Sequence, residues 1–151
     1  MKDAITTKQD TSTVKQNKEL LRKAVDEIWN KGNFDKLKNF VSEDFVIRFP
    51  RPDEEIRGPE NVKEFYKALR KAFPDIQFTI LDLLADGNKV ITHWSASGTH
   101  KGEFKGMPAT GKKVTFKAID IDRIIDGKFV ECWTNIDELG LMQQLGAIPE
   151  K

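Results

Sequence analysis

Asp120 and Asp122 stand two residues apart, and Glu131 and Asp137 follow beyond a turn, with Phe116, Phe129 and Trp133 spaced among them. Carboxylates beside aromatic rings suit proton transfer on an organic ligand. The rings exclude water and the carboxylate takes up or returns the proton. Asp126-Gly127, between two alternating segments, predicts a hairpin with a two-residue turn. If Ile125 faces Lys128, then Asp122 faces Glu131, Asp120 faces Trp133, Ala118 faces Asn135 and Phe116 faces Asp137. One face then carries Phe116, Asp120, Asp122, Phe129, Glu131, Trp133, Asn135 and Asp137. It reads as a pocket wall, or as a solvated edge with scattered acids. The opposite face carries Ile119, Ile121, Arg123, Val130, Cys132 and Ile136. It reads as ordinary core, or as the apolar patch through which two sheets meet in a homodimer.

Asp137 ends the last strand. Desolvation among apolar neighbours would raise its pKa and poise it as an acid or base. The competing reading is an N-cap for the terminal helix. His93 and His100 fall on one strand at opposite parity, so they point to opposite faces and cannot share a metal. His100, at the strand end, is a second proton-transfer candidate, with a structural role as the alternative. His100 or Asn135 would hydrogen-bond a developing enolate oxygen. The single cysteine, Cys132, excludes an internal disulfide and reads as packed in a strand rather than nucleophilic. No nucleophile elbow, phosphate loop or dinucleotide fingerprint is present, and no spacing of ligands suggests a metal.

The elements that must position these groups follow from periodicity. Residues 1–13 are polar and read as a disordered tail, leaving 14–151 as one domain. Apolar residues at helical spacing predict a helix from Val14 to Lys31, a short second helix from Phe34 to Val41, and a third from the Arg57–Asn61 loop to Pro74. Strands are expected over 45–49, 76–84, 89–99, 114–124 and 128–136, and a last helical turn or two over 139–145. Loops are expected at 50–58 and 101–112. Three helices followed by a long antiparallel run make an α+β chain. One curved sheet with the helices on its concave face forms a cone, open at one end and expected to hold a pocket.

Lys and Arg number 25 and Asp and Glu 24, so no basic field recruits nucleic acid or an anionic membrane. No apolar run reaches the length of a signal peptide or a membrane span, and a cytoplasmic location is expected.

Several segments, taken in order, carry a resemblance. Arg57-Gly58-Pro59-Glu60 and Ala72-Phe73-Pro74-Asp75 flank the third helix. Gly98-Thr99-His100-Lys101-Gly102-Glu103-Phe104 and Pro108-Ala109-Thr110-Gly111-Lys112 follow, then Glu131-Cys132-Trp133, Asp137 and Gln143-Gln144-Leu145-Gly146. Over residues 17–149 the chain resembles the SnoaL-like polyketide (ester) cyclases, which have the nuclear-transport-factor-2-like fold. The resemblance implies the cone, a homodimer, no cofactor, and an intramolecular aldol closure with an aspartate near the end of the last strand as acid/base. The position that matches it is Asp137. The cyclases also use a histidine on the preceding strand, and residues 114–124 here hold Asp120, Asp122 and Arg123 but no histidine.

The expected function is an ester cyclase-type enzyme acting on a small apolar carbonyl substrate. Asp137 and His100 would be catalytic, and Trp133, Asn135, Phe129, Phe116, Asp120 and Glu131 would bind the substrate. One alternative is a hydrolase or dehydratase in which Asp120, Asp122 and Glu131 activate water. The other is a module that only binds a small apolar ligand.

Overall fold

Trp29 reaches the interior because the first helix changes its winding there. The computed structural model describes residues 12–150 in full. Helix α1 (Lys2–Ala24) continues into a π-helical turn (Val25–Asn30), in which Lys31 N–H reaches the Asp26 carbonyl. Arg70 donates to the carbonyls of Trp29 and Asn30, both at 2.8 Å, and so satisfies the open helix end. The Asn30 amide exchanges two hydrogen bonds with the backbone of Phe78, pinning this turn to a strand. The expected tail over 1–13 lies outside the described residues except for Ser12 and Thr13, which belong to α1. A 3₁₀ helix (Phe34–Asn39) follows.

Strand β1 (Val41–Arg48) begins earlier than expected, because the 3₁₀ helix closes at Phe40 and leaves Val41 extended. A short strand β2 (Glu55–Arg57) lies inside the expected 50–58 loop and pairs with β1, Ile47 opposite Ile56. Helix α2 (Pro59–Ala72) starts with Pro59 in its first turn and buries Val62 and Ala72 completely. Phe73 caps its end and is also fully buried. The remaining strands are β3 (Gln77–Asp86), β4 (Lys89–Thr99), β5 (Lys113–Ile125) and β6 (Lys128–Ile136), and α3 (Glu138–Leu145) ends the fold. Asp126 and Gly127 both have positive φ, as the predicted hairpin turn requires.

The six strands form one curved sheet in the order β2-β1-β6-β5-β4-β3. All neighbours are antiparallel except β1 and β6, which run parallel and correct the expectation of an antiparallel sheet throughout. The sheet's concave face carries two apolar clusters. One joins α1 and the π turn to β1 through Leu21, Val25, Ile28, Phe45 and Ile47. The other joins α3 to β4 and β5 through Leu141, Leu145, Trp94, Val114 and Phe116. Among the described residues no helix is long and apolar enough to cross a membrane.

Candidate active site

Strict alternation in β5 turns Phe116, Ala118, Asp120, Asp122 and Ile124 inward, all buried. On β6 the alternation breaks. Ile124 pairs with Phe129 but Arg123 pairs with Glu131, so Val130 is an extra residue in a bulge. Two fixed points force it. The Phe129 N–H bonds to the Phe40 carbonyl and its ring is buried in the core. Glu131 must face outward, because Arg48 Nε donates to it at 2.5 Å and Arg123 Nη2 at 3.3 Å.

The predicted register therefore holds only from Ile125/Lys128 to the bulge. Beyond it Asp122 pairs with Cys132, Asp120 with Thr134, Ile121 with Trp133 and Ile119 with Asn135. Three residues assigned to the pocket wall are corrected: Glu131, Trp133 and Asn135 lie on the convex face. Cys132 and Ile136, assigned to the opposite face, line the cavity with Thr134. Phe116, Phe129, Asp120 and Asp122 line it as expected. Ile119, Ile121 and Arg123 keep their predicted face, but Ile119 and Ile121 are exposed and form no core in the single chain.

Asp137 is exposed and caps α3, its Oδ1 accepting the Gly140 N–H at 2.9 Å. It is not among the residues that line the cavity. His100 is fully buried behind the cavity wall, against Phe73 and Phe104. Its Nδ1 accepts the Thr110 N–H at 3.3 Å and lies 3.0 Å from the Thr110 hydroxyl, and its Nε2 has no partner. Its backbone bonds to Lys112 and Gly111 close the neck of the 101–112 loop. Asp137 and His100 thus hold backbone in place at separate points, and the fold does not bring them together.

The cavity between helices and sheet measures about 600 Å³. That is the scale of pockets which enclose drug-sized ligands. Its walls are mainly aromatic. Trp29 lies 5.3 Å from Phe78 and 6.2 Å from Trp94 between ring centres, and Trp94 lies 6.0 Å from Phe116. Charged groups stand at its exposed rim, where Glu138 pairs with Lys105 and with Arg51 at 3.4 Å.

Deep inside are the two carboxylates. Asp120 is 4% exposed and accepts the Thr134 hydroxyl at 2.5 Å. Burial pushes its pKa up to about 6, against the pull of Thr134 and of the nearby Trp94 indole. That indole N–H nevertheless closes no hydrogen bond. Burial first, then repulsion from Asp120, pushes Asp122 well above the usual carboxylate range. Its Oδ2 has no hydrogen-bond partner. Burial, with repulsion from both aspartates, raises the Cys132 thiol as well. Oxygens of Asp120 and Asp122 and the Cys132 sulfur all lie within 4.8 Å of one another. This is the one such cluster of metal-ligand types among the described residues, a grouping that spacing alone did not suggest. Burial raises the pKa of all three members, which opposes the deprotonated forms that a cation needs as ligands.

A buried carboxylate pair in a dry aromatic cavity can hold one proton and exchange it with a ligand. Thr134 was missed as a site member, and Asp122, placed on the pocket-wall face, was named only for activating water in the hydrolase alternative. For Asp122 the signal was its shared parity with Asp120. For Thr134 no signal existed without the bulge.

Residues 19–145 match the family model described as SnoaL-like polyketide cyclase. The aklanonic acid methyl ester cyclase DnrD of Streptomyces peucetius is 30% identical over 130 residues, which cover 85% of this chain and 89% of that one. The structure of TsrD from Streptomyces laurentii is 30% identical with a TM-score of 0.77, covering 88% of this chain and 96% of that one. A SnoaL-like protein from Jannaschia sp. CCS1, at 24% identity, shares the fold with a TM-score of 0.82 over 90% of this chain and 95% of that one.

Proposed function

The chain belongs to the SnoaL-like polyketide cyclase family, and on that premise we propose that it is an acid/base enzyme acting on a small apolar carbonyl compound. The supporting observation is the buried Asp120–Asp122 pair in an otherwise aromatic cavity. Asp120, with a pKa near 6, is mostly ionised at neutral pH and still basic enough to accept a proton. Its carboxylate takes a proton from the carbon next to the substrate carbonyl. The C–H electron pair moves into the new C=C bond, and negative charge settles on the carbonyl oxygen. In an aldol closure the enolate carbon then bonds to a second carbonyl of the same molecule, and the resulting alkoxide recovers the proton from Asp120. Burial and repulsion from Asp120 favour the protonated form of Asp122, which opposes the build-up of two negative charges on the pair. Thr134 fixes the Asp120 carboxylate by its short hydrogen bond.

DnrD, a methyl ester cyclase, supports an ester of this kind as the substrate class. Asp137 is the alternative proton carrier that the resemblance implies, but its carboxylate is engaged in capping α3. The test is deuterium exchange at the α-carbon of an aryl ketone in D₂O, followed by proton NMR. Asp120→Asn should slow exchange by about 100-fold or more while leaving ketone affinity nearly intact. Unchanged exchange in that variant, with loss in Asp137→Asn, would return the role to Asp137.

A further inference from the structure

Trp94 carries a polar atom that closes no hydrogen bond within the protein. The residue is 5% exposed and lines the cavity; its indole Nε1–H closes no hydrogen bond, although it lies near enough to Asp120 to lower that carboxyl's pKa. A buried donor without a partner is costly, and native proteins leave few of them. Its ring cannot turn away freely, because Trp29, Phe78 and Phe116 pack around it at centroid distances of 6.2, 5.4 and 6.0 Å. Trp94 pairs across strands with Ala118, one inward position from Asp120. A second unpartnered atom, Asp122 Oδ2, lies in the same wall of β5. Two residues of the cavity wall, Trp94 and Asp122, thus each carry a buried polar atom without a hydrogen-bond partner, among apolar rings.

We propose that the Trp94 Nε1–H donates a hydrogen bond to the carbonyl oxygen of the bound substrate and holds that carbonyl beside Asp120. The acceptor is a neutral oxygen, since an anionic group would lie against the Asp120 carboxylate. The aromatic walls select a flat, aryl-bearing compound around it. When Asp120 removes the α-proton, charge grows on the same oxygen, so the N–H bond strengthens along the reaction. The inference rests on the proposed reaction only for the choice of a carbonyl ligand.

The test compares 1-acetonaphthone with 1-ethylnaphthalene, which keeps the shape and lacks the oxygen. In the intact protein the indole N–H signals of Trp29, Trp94 and Trp133 are resolved by ¹⁵N labelling, and Trp94 is assigned through its contacts with the Phe78 and Phe116 rings. The ketone should move the Trp94 N–H signal downfield and the hydrocarbon should not. The ketone should also bind roughly fivefold tighter than the hydrocarbon, and Trp94→Phe should erase that preference. Equal shifts with both compounds, no shift with either, or a ketone preference that survives in Trp94→Phe overturns the proposal. If Asp120→Asn retains proton exchange while the ketone preference still follows Trp94, the reaction assigned to Asp120 fails and the Trp94 site stands.

Discussion

Replacing Asp120 by Asn should make the protein more stable relative to the wild type as pH rises. Burial raises the folded-state pKa of Asp120 from 3.8 to about 6, so on going up in pH the unfolded chain gives up this proton first. Below 3.8 both states hold the proton, and the stability linked to it is fully present. From there to about 6 the wild type loses stability, at about 1.4 kcal/mol per pH unit. The whole interval amounts to ~3 kcal/mol, about 2.5 kcal/mol of it between pH 4 and pH 7.5. The variant has no such proton to lose. Relief of the repulsion that Asp120 exerts on Asp122 adds in the same direction. Carboxylates common to both proteins, such as Glu27 and Glu138, cancel in the comparison. Any fixed cost of the amide beside Thr134 cancels as well, because only the change with pH is read. Urea unfolding of both proteins at pH 4 and pH 7.5 gives the four stabilities needed. A difference between the proteins that moves by less than ~0.5 kcal/mol, or that moves in favour of the wild type at high pH, refutes a desolvated Asp120.

Four other outcomes are expected. Catalysed α-proton exchange should rise about tenfold per pH unit below pH 6 and level off above it, as a base with the Asp120 pKa requires; a profile flat from pH 4 to pH 8 is the contrary result. Asp137→Ala should cost about 1 kcal/mol of stability by thermal melting, through loss of the α3 cap, and leave exchange unchanged. Gly102→Ala should destabilise by about 1–3 kcal/mol in the same assay, since its Cβ would meet the Lys71 carbonyl oxygen at 2.4 Å. A homodimer through the convex face, where Ile119, Ile121, Ile125 and Trp133 are exposed, should dissociate in Ile121→Glu; sedimentation equilibrium reads it, and a monomeric wild type at micromolar concentration would end that expectation.

How much of this was legible in the sequence depended on how far local pattern fixes position. Strands β4 and β5 and helix α2 follow from alternation and helical spacing, because each element's own residues decide which face is buried, and the Asp126-Gly127 turn places the start of β6. Strand β2 was missed because three residues with one apolar side chain carry no period. The parallel pairing of β1 with β6 joins segments far apart in the chain, and no turn chemistry announces it.

The site was lost at a single residue. Counting back from a hairpin turn assumes one partner per residue, and the bulge at Val130 breaks that assumption where β6 must bury Phe129 and expose Glu131 within two positions. Each demand comes from a distant part of the chain: Phe40 for the first, Arg48 for the second. Neither demand is visible in the hairpin itself. Asp120 and Asp122 survived because they sit on β5, whose alternation is unbroken from Val114 to Ile124. Their position was readable, whereas their partners were not, and the partners decide the chemistry. Opposite Trp133, Asp120 would have been one acid among exposed neighbours. Opposite Thr134, with Cys132 beside Asp122, it is a dehydrated carboxylate held by one hydroxyl, the arrangement a proton-transfer group requires.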